Sequence, residues 1–533
     1  MSVFQAAFPG FPLRKLARRF WRRDDGSLLI FGLFCFVTML LVAGVAIDLM
    51  RHELRRTYLQ NTIDRAVLMA ASLKQQIDPK DVVREVFRAS GLEPPADRDI
   101  HVVVSGTERV VSVDIRDSVP TLFMRMVGFD QLPLPAAGKA VEKVGLMEVS
   151  LVLDVSGSMA DLARSSSTTK IALLRQAAEQ FVSTLFVSAE GSSTGARGKL
   201  SISVVPYNQQ VTPGKALAAQ FNLAADHDKT SCVDLETATF ATTALSTTAP
   251  LARTAYADLR YANKAPTPLK KPYFECYELP SNEVVAFSDN QVKIVERIRS
   301  LAADGDTAID IGAKWGVALL NPSTRSALDG LISAGDPRVS ASIGGRPLDY
   351  GISDAMKILV LMTDGQNTNT YALQPAYKTG PSDVVKDNAT GYLYYFDAAS
   401  KTYTKLDANA PKSPQFTAGK TVLTWQQVWQ TYSVRWFADN AYRVATGKSD
   451  FLSKAVIHTS STGKDSQLRS VCDAARAKGI MVFTIAFNAE VSGEVALKSC
   501  ASSPAYYFDV ENVDLSTAFV SIARTITKLR LTH

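Results

Sequence analysis

Apolar and polar positions alternate in blocks that change character twice along the chain. Leu28 to Ile47 is a run of twenty residues without a charge, about the length that crosses a bilayer as a helix. Beyond it, Leu54, Leu59, Ile63, Val67, Ala70 and Leu73 recur at helical spacing, and no Pro or Gly intervenes before Pro79. One helix is therefore predicted to run from the apolar stretch into an amphipathic extension over residues 26–78. Residues 79–145 read as a small α+β spacer. Asp81–Ala89 is helix-like, and His101–Val104 and Val110–Ile115 are strand-like. Pro120–Val127 reads as a helix opened by Pro, and Leu132-Pro133-Leu134-Pro135 as a segment leading onward.

From about residue 146 the pattern becomes strand, turn, helix. Val149–Leu153, Leu200–Val205, Lys357–Met362, Met481–Phe487 and Tyr506–Phe508 are short apolar runs of the buried-strand type. Lys170–Val187, Gln291–Leu301, Ile309–Leu320, Ser466–Ala477, Glu494–Cys500 and Leu515–Leu529 carry helical periodicity. This alternation predicts an α/β domain over 146–533, a doubly wound, mostly parallel sheet with helices on both faces. Two intervals, about 208–282 and 366–461, are too long for connections in a compact domain and read as insertions. The second holds Tyr371, Tyr377, Tyr392, Tyr394, Tyr395, Tyr403, Trp425, Trp429, Tyr432, Trp436 and Tyr442. Such residues supply rigid contact area at binding surfaces, or a small core of their own, for which Trp425, Val428, Trp429 and Tyr432 have helical spacing.

Charge adds an orientation. The net charge of +6 is local: residues 1–25 hold Arg14, Lys15, Arg18, Arg19, Arg22 and Arg23 against Asp24 and Asp25, and the remainder carries 52 basic and 50 acidic side chains. That balance gives no ground for a nucleic-acid partner. A basic tail before an apolar span places residues 1–25 in the cytoplasm and the bulk of the chain across the membrane. A cleaved signal peptide is the competing reading, with Gly44-Val45-Ala46 as small residues at a cleavage site. The apolar run exceeds the core of about 7–15 residues that such signals carry, which favours an uncleaved anchor.

Cys35 lies in the apolar run, leaving Cys232, Cys276, Cys472 and Cys500 beyond it. Four cysteines allow three connectivities. Cys232–Cys276 and Cys472–Cys500 are favoured because each pair falls within one local segment, with buried free thiols as the alternative. No CxxC spacing suggests a zinc cluster.

The candidate chemistry is concentrated at Asp154-Val155-Ser156-Gly157-Ser158, directly after the first strand of the α/β domain. One carboxylate and two hydroxyls would stand at the carboxyl edge of the sheet, where open α/β folds hold ligands. Asp306-Thr307 precedes a later helix, and Thr363-Asp364-Gly365 ends a second apolar strand. Asp and Ser in such places can also merely cap a helix or make a turn. The trio resembles the metal-ion-dependent adhesion site of von Willebrand factor A domains. The resemblance implies a Rossmann-like A-type fold with Asp154, Ser156, Ser158, Thr307 and Asp364 as ligands of a divalent metal. Hard oxygen donors suit Mg2+ first, with Mn2+ and Ca2+ as alternatives. It also implies capture of an acidic residue of a partner protein. Five scattered histidines, with no HExxH and no GxSxG, argue against an enzyme.

Gly26-Ser27 before the apolar run, Ala46-Ile47-Asp48-Leu49-Met50-Arg51, Leu59–Ala66, Cys472-Asp473-Ala474-Ala475 and Ile526–Thr532 together resemble TadG-type proteins of Tad (Flp) pilus assembly. Prepilin-like sites usually carry Glu five residues after the scissile Gly; Phe31 stands there, which weighs against processing after Gly26. The resemblance implies a single-pass bacterial inner-membrane protein with a periplasmic A domain. Its implied partners are other pilus assembly or pilin proteins, and the oligomeric state is open. A structural minor pilus subunit or a surface adhesin, with a metal that only stabilises the fold, is the alternative.

Overall fold

The computed structural model describes residues 25–72, 77–105, 108–143, 145–164, 166–189, 198–259, 274–352, 354–511 and 515–532. The basic tail predicted over residues 1–25 lies almost wholly outside them. The chain divides into two compact units, Met1–Lys143 and Val144–His533.

In the first unit, helix α1 (Asp25–Ala71) is continuous. Its apolar half is exposed, with Leu28, Leu29, Phe34 and Met39 among the open side chains. Among the described residues it is the one helix long and apolar enough to cross a membrane. In its second half Leu59, Ile63, Ala66, Val67 and Ala70 are buried, the three- and four-residue spacing of a helix with one covered face. That face packs with α2 (Pro79–Ala89) and an antiparallel sheet of β1 (Ile100–Ser105), β2 (Glu108–Pro120) and β3 (Gln131–Lys143) into one core. Pro120 does not open a helix as its position predicts. It ends β2, paired with Gln131, and only Met124–Val127 forms a 3-10 turn. A hairpin paired over thirteen residues on each strand outweighs the local preference of Pro. Pro133 and Pro135 belong to β3, at the edge of the sheet, where a missing N–H is tolerated.

The second unit is built on a six-stranded sheet. Its strands are β4 (Leu146–Asp154), β5 (Leu200–Tyr207), β6 (Val285–Ser288), β7 (Ala355–Thr363), β14 (Met481–Phe487) and β15 (Tyr507–Val510), in the order β15-β14-β7-β4-β5-β6. All neighbours are parallel except β6, which is antiparallel to β5. The order reverses between β4 and β7, so β4 and β7 flank the switch point where doubly wound sheets bind ligands. Along β4, Met147, Val149, Leu151 and Leu153 enter a core shared with α3 (Lys170–Ala189), α4 (Gln291–Ser300) and α10 (Leu515–Thr532). Val152 enters the opposite core, with α5 (Ile309–Ala318), α6 (Arg325–Ser333), α8 (Ser461–Ala477) and α9 (Val491–Cys500). The fold is the predicted α/β class with helices on both faces.

Both favoured disulfides are present. Cys232–Cys276 closes the first insertion, and Cys472–Cys500 links α8 to α9 on either side of β14. The second insertion opens and closes on a two-stranded ladder of β8 (Thr370–Leu373) and β13 (Val456–Thr459). Between them, a four-stranded sheet of β9 (Pro381–Asp387), β10 (Leu393–Asp397), β11 (Thr402–Lys405) and β12 (Lys420–Thr424) is followed by α7 (Trp425–Thr431). Tyr395, Trp425, Trp429, Tyr432, Phe437, Tyr442 and Phe451 make its core. None of the eleven aromatic residues predicted as contact area is exposed. The self-packed core is found, because a sheet this small needs such rings to exclude water, while Tyr371, Tyr377, Tyr392, Tyr403 and Trp436 stay half-buried.

Candidate functional site

The site forms where β4 and β7 end. Asp154 is the last residue of β4 and is fully buried. Its Oδ1 accepts from the Ser156 N–H at 2.8 Å and its Oδ2 from the Thr363 hydroxyl at 2.6 Å. Ser156, also buried, has its Oγ 3.1 Å from that of Ser158. The turn between them approaches the loop before α5: the Gly157 N–H donates to the Gly305 carbonyl at 2.8 Å. A Cβ on Gly157 would stand 3.0 Å from that oxygen, so glycine is what this approach accommodates.

Asp364 follows the end of β7. Ser158 Oγ donates to its Oδ1 and Lys170 Nζ to its Oδ2, each at 2.8 Å. Lys170 is the first residue of α3. Thr307 is placed by a strap of backbone bonds: the Thr368 N–H donates to its carbonyl at 2.9 Å, and its own N–H donates to Thr368 Oγ1 at 3.2 Å. The preceding loop is held to the end of β5, where the Asp306 N–H donates to Gln209 Oε1 and the Ala308 N–H to the Asn208 carbonyl. Ser158, Thr307 and Asp364 line one open cleft of about 510 Å³ with Lys170, Gln366 and Thr368. Asp154 and Ser156 do not line it. They join it through the Ser156–Ser158 contact and through charge.

That charge is felt. Burial, and then the neighbouring Asp364 carboxylate, push the Asp154 carboxyl up to about 7. The Tyr207 hydroxyl, enclosed and donating to the Met362 carbonyl, is pushed well above its ordinary range by burial and then by Asp154. Two carboxylates therefore share a buried space, and among the described residues Lys170 is the cation in hydrogen-bond contact with Asp364. The donor set contains oxygen only, two carboxylates with the hydroxyls of Ser156, Ser158 and Thr307, and it fits a hard divalent cation. Neither His227 nor His458 lines the cleft.

All five residues singled out in the sequence converge on this sheet edge. Two contributors were missed. Lys170 stood at the start of a predicted helix, with no local sign that it would reach a residue 194 positions away. Thr363 was visible in the Thr-Asp-Gly strand end, yet its partner is 209 positions away.

Residues 26–73 match the family described as "Putative Flp pilus-assembly TadE/G-like". No curated protein matches the chain. Among solved structures it is similar to the vWF domain of the type V pili tip protein Mfa5 from Porphyromonas gingivalis. The identity there is 12%, covering 72% of this chain and 96% of that one, at a TM-score of 0.31. It is also similar to the PilB minor pilin from Streptococcus sanguinis, at 12% identity, 81% and 78% coverage and a TM-score of 0.30. The adhesive tip pilin GBS104 from Group B Streptococcus agalactiae follows at 12% identity, 71% and 99% coverage and 0.28. At scores this low the fold rests on the strand order itself.

Proposed function

We propose that this chain is a membrane-anchored component of a Tad/Flp-type pilus assembly system. In this reading its α/β domain binds a divalent metal ion and, through it, a protein partner. Asp154, Ser156, Ser158, Thr307 and Asp364 would hold the ion, Mg2+ before Mn2+ or Ca2+. The observation that carries the reading is the meeting of two buried carboxylates and serine hydroxyls at the switch point of the sheet, with Asp364 in the wall of a cleft. When bound, the ion would supply an electrophilic position for a carboxylate of the partner. The chain's own groups do the rest. Thr363 and the Ser156 N–H orient Asp154, Ser158 and Lys170 orient Asp364, and the Thr368 strap sets Thr307. The family match over residues 26–73 and the exposed apolar half of α1 support anchoring and the link to pilus assembly. The basic tail supports a cytoplasmic amino terminus in the bacterial inner membrane, with the α/β domain in the periplasm.

The test is partner capture on immobilised residues 144–533, with and without chelator, beside Asp364→Ala. Loss of a partner under both perturbations, with the melting temperature of the domain kept, supports metal-bridged recognition. A fall in melting temperature with capture unchanged would leave a structural subunit or adhesin in which the metal only stabilises the fold.

A further inference from the structure

The tip of the β2–β3 hairpin has the wrong chemistry for a turn in water. Tips that face solvent favour Gly, Asn, Asp and Ser. Here Leu122, Met126, Val127 and Phe129 are each more than half exposed, Met126 at 73%, and Phe123 is also open. The loop is nevertheless ordered by its own bonds. Thr121 Oγ1 donates to the Phe129 carbonyl, the Phe129 N–H to the Met124 carbonyl, and Gly128 takes a positive φ of 95° that closes the 3-10 turn. An apolar patch held open in this way marks a surface that meets something other than water.

Its position on α1 indicates what it meets. The Asp48 carboxylate, just after the uncharged run, accepts the backbone N–H groups of Leu122, Phe123 and Met124 at 2.8–2.9 Å. One turn earlier, Gly44 leaves room for the Phe123 ring; a Cβ there would stand 2.5 Å from Phe123 Cγ. The rest of the hairpin climbs away along the same helix. His52 Nε2 lies 3.1 Å from the Pro133 carbonyl, Gln60 bonds to the Ala137 carbonyl, and Gly138 packs on Ile63. Eleven helical residues from 52 to 63 rise about 16 Å, and five strand residues from 133 to 138 rise about the same. The strand therefore runs alongside the helix axis, and the tip points back toward the apolar span.

We propose that the loop 121–130 is a second membrane contact. Docked at Gly44 and Asp48, it inserts Leu122, Phe123, Met126, Val127 and Phe129 into the lipid where α1 leaves the bilayer. Arg125, exposed among them, extends its charged end to the headgroups in the manner of a snorkelling side chain. The membrane-proximal unit is then held at two points, the helix and the hairpin tip, which restricts its tilt on the membrane.

The inference rests on the reading of Leu28–Ile47 as a membrane span, so the test reports on the two separately. The full chain, with Cys35→Ser and both disulfides intact, receives one cysteine at Met126, at Leu33 or at Arg98, and a polarity-sensitive fluorophore on it. Arg98 is strongly exposed and lies two residues before the start of β1, far from the tip. Each protein is reconstituted in phosphatidylcholine/phosphatidylglycerol vesicles, with and without acyl-brominated lipid, and titrated with aqueous iodide. The expected result is loss of most emission at Met126→Cys and Leu33→Cys in brominated lipid, with Arg98→Cys quenched by iodide alone. Quenching of Met126→Cys by iodide, with Leu33→Cys still quenched by lipid, overturns the inference and leaves the span standing. Quenching of Met126→Cys by neither agent puts protein rather than lipid against the loop and also overturns it. Absence of lipid quenching at Leu33→Cys removes the span, and the inference with it.

Discussion

Replacing Lys170 by Met should tighten divalent-metal binding. Lys170 Nζ lies 2.8 Å from Asp364 Oδ2; the Asp364 side chain is fully enclosed and that of Lys170 only 12% exposed. A charge-assisted hydrogen bond of this kind contributes roughly 1.5–3 kcal/mol net. A metal ion that uses Asp364 must displace or share it, so the lysine competes with the ion. Methionine keeps much of the side-chain volume and removes the competitor. At about 1.4 kcal/mol per decade, affinity should rise by about 10- to 100-fold. Calorimetric titration of residues 144–533 with Mg2+, wild type beside Lys170→Met at one pH, reads this directly. A second readout follows from the same geometry. Without metal, the variant leaves Asp364 facing Asp154 with no cation in contact, so its melting temperature should fall below that of the wild type and saturating Mg2+ should close the gap. Equal or weaker affinity in Lys170→Met would refute the competition.

Three further outcomes follow. Lys464 and Asp310 form an ion pair at 2.8 Å with exposures of 0% and 1%, so Lys464→Met should cost about 3–5 kcal/mol in chemical denaturation. Asp310→Leu added to it should recover most of the loss, since no unpaired charge is left. Removing Cys472–Cys500 by paired Ser substitution should cost about 3–4 kcal/mol for a loop closed over 28 residues, read as a fall in denaturation midpoint. Asp154 binds its proton more tightly folded, at about 7, than unfolded, at about 3.9. Its contribution to stability is therefore full below about pH 4 and lost as pH rises to about 7, with a slope of at most about 1.4 kcal/mol per pH unit. Metal-free melting curves should show that decline, and Asp154→Asn should flatten it.

What could be read from the sequence and what could not divide along contact range. The ends of β4 and β7 were legible because Asp154 follows an apolar run directly and Asp364 follows one after a single Thr, and strand order then brings those runs side by side. The disulfides were legible because each pair lies in one local segment. Lys170–Asp364 and Thr363–Asp154 were not, since nothing in the neighbourhood of either residue encodes a partner some 200 positions away. The aromatic interval after Asp364 suggested a contact surface as readily as a core. Only the pairing of β9 with β10 and β12, which gives those rings a sheet to cover, decides for the core. Pro120 misled because its local preference for a helix start is small beside the ladder that carries β2 through it.

If the reading of the site is right, the edge between β4 and β7 holds a divalent ion. The measurement that tests it most directly is calorimetric titration of residues 144–533, disulfides formed, with Mg2+, Mn2+ and Ca2+, beside the Asp154→Ala/Asp364→Ala double variant. The expected result is saturable binding of one ion per domain in the wild type and none in the variant, with both proteins giving the circular dichroism of a folded α/β domain. A folded wild type that binds none of the three would contradict it.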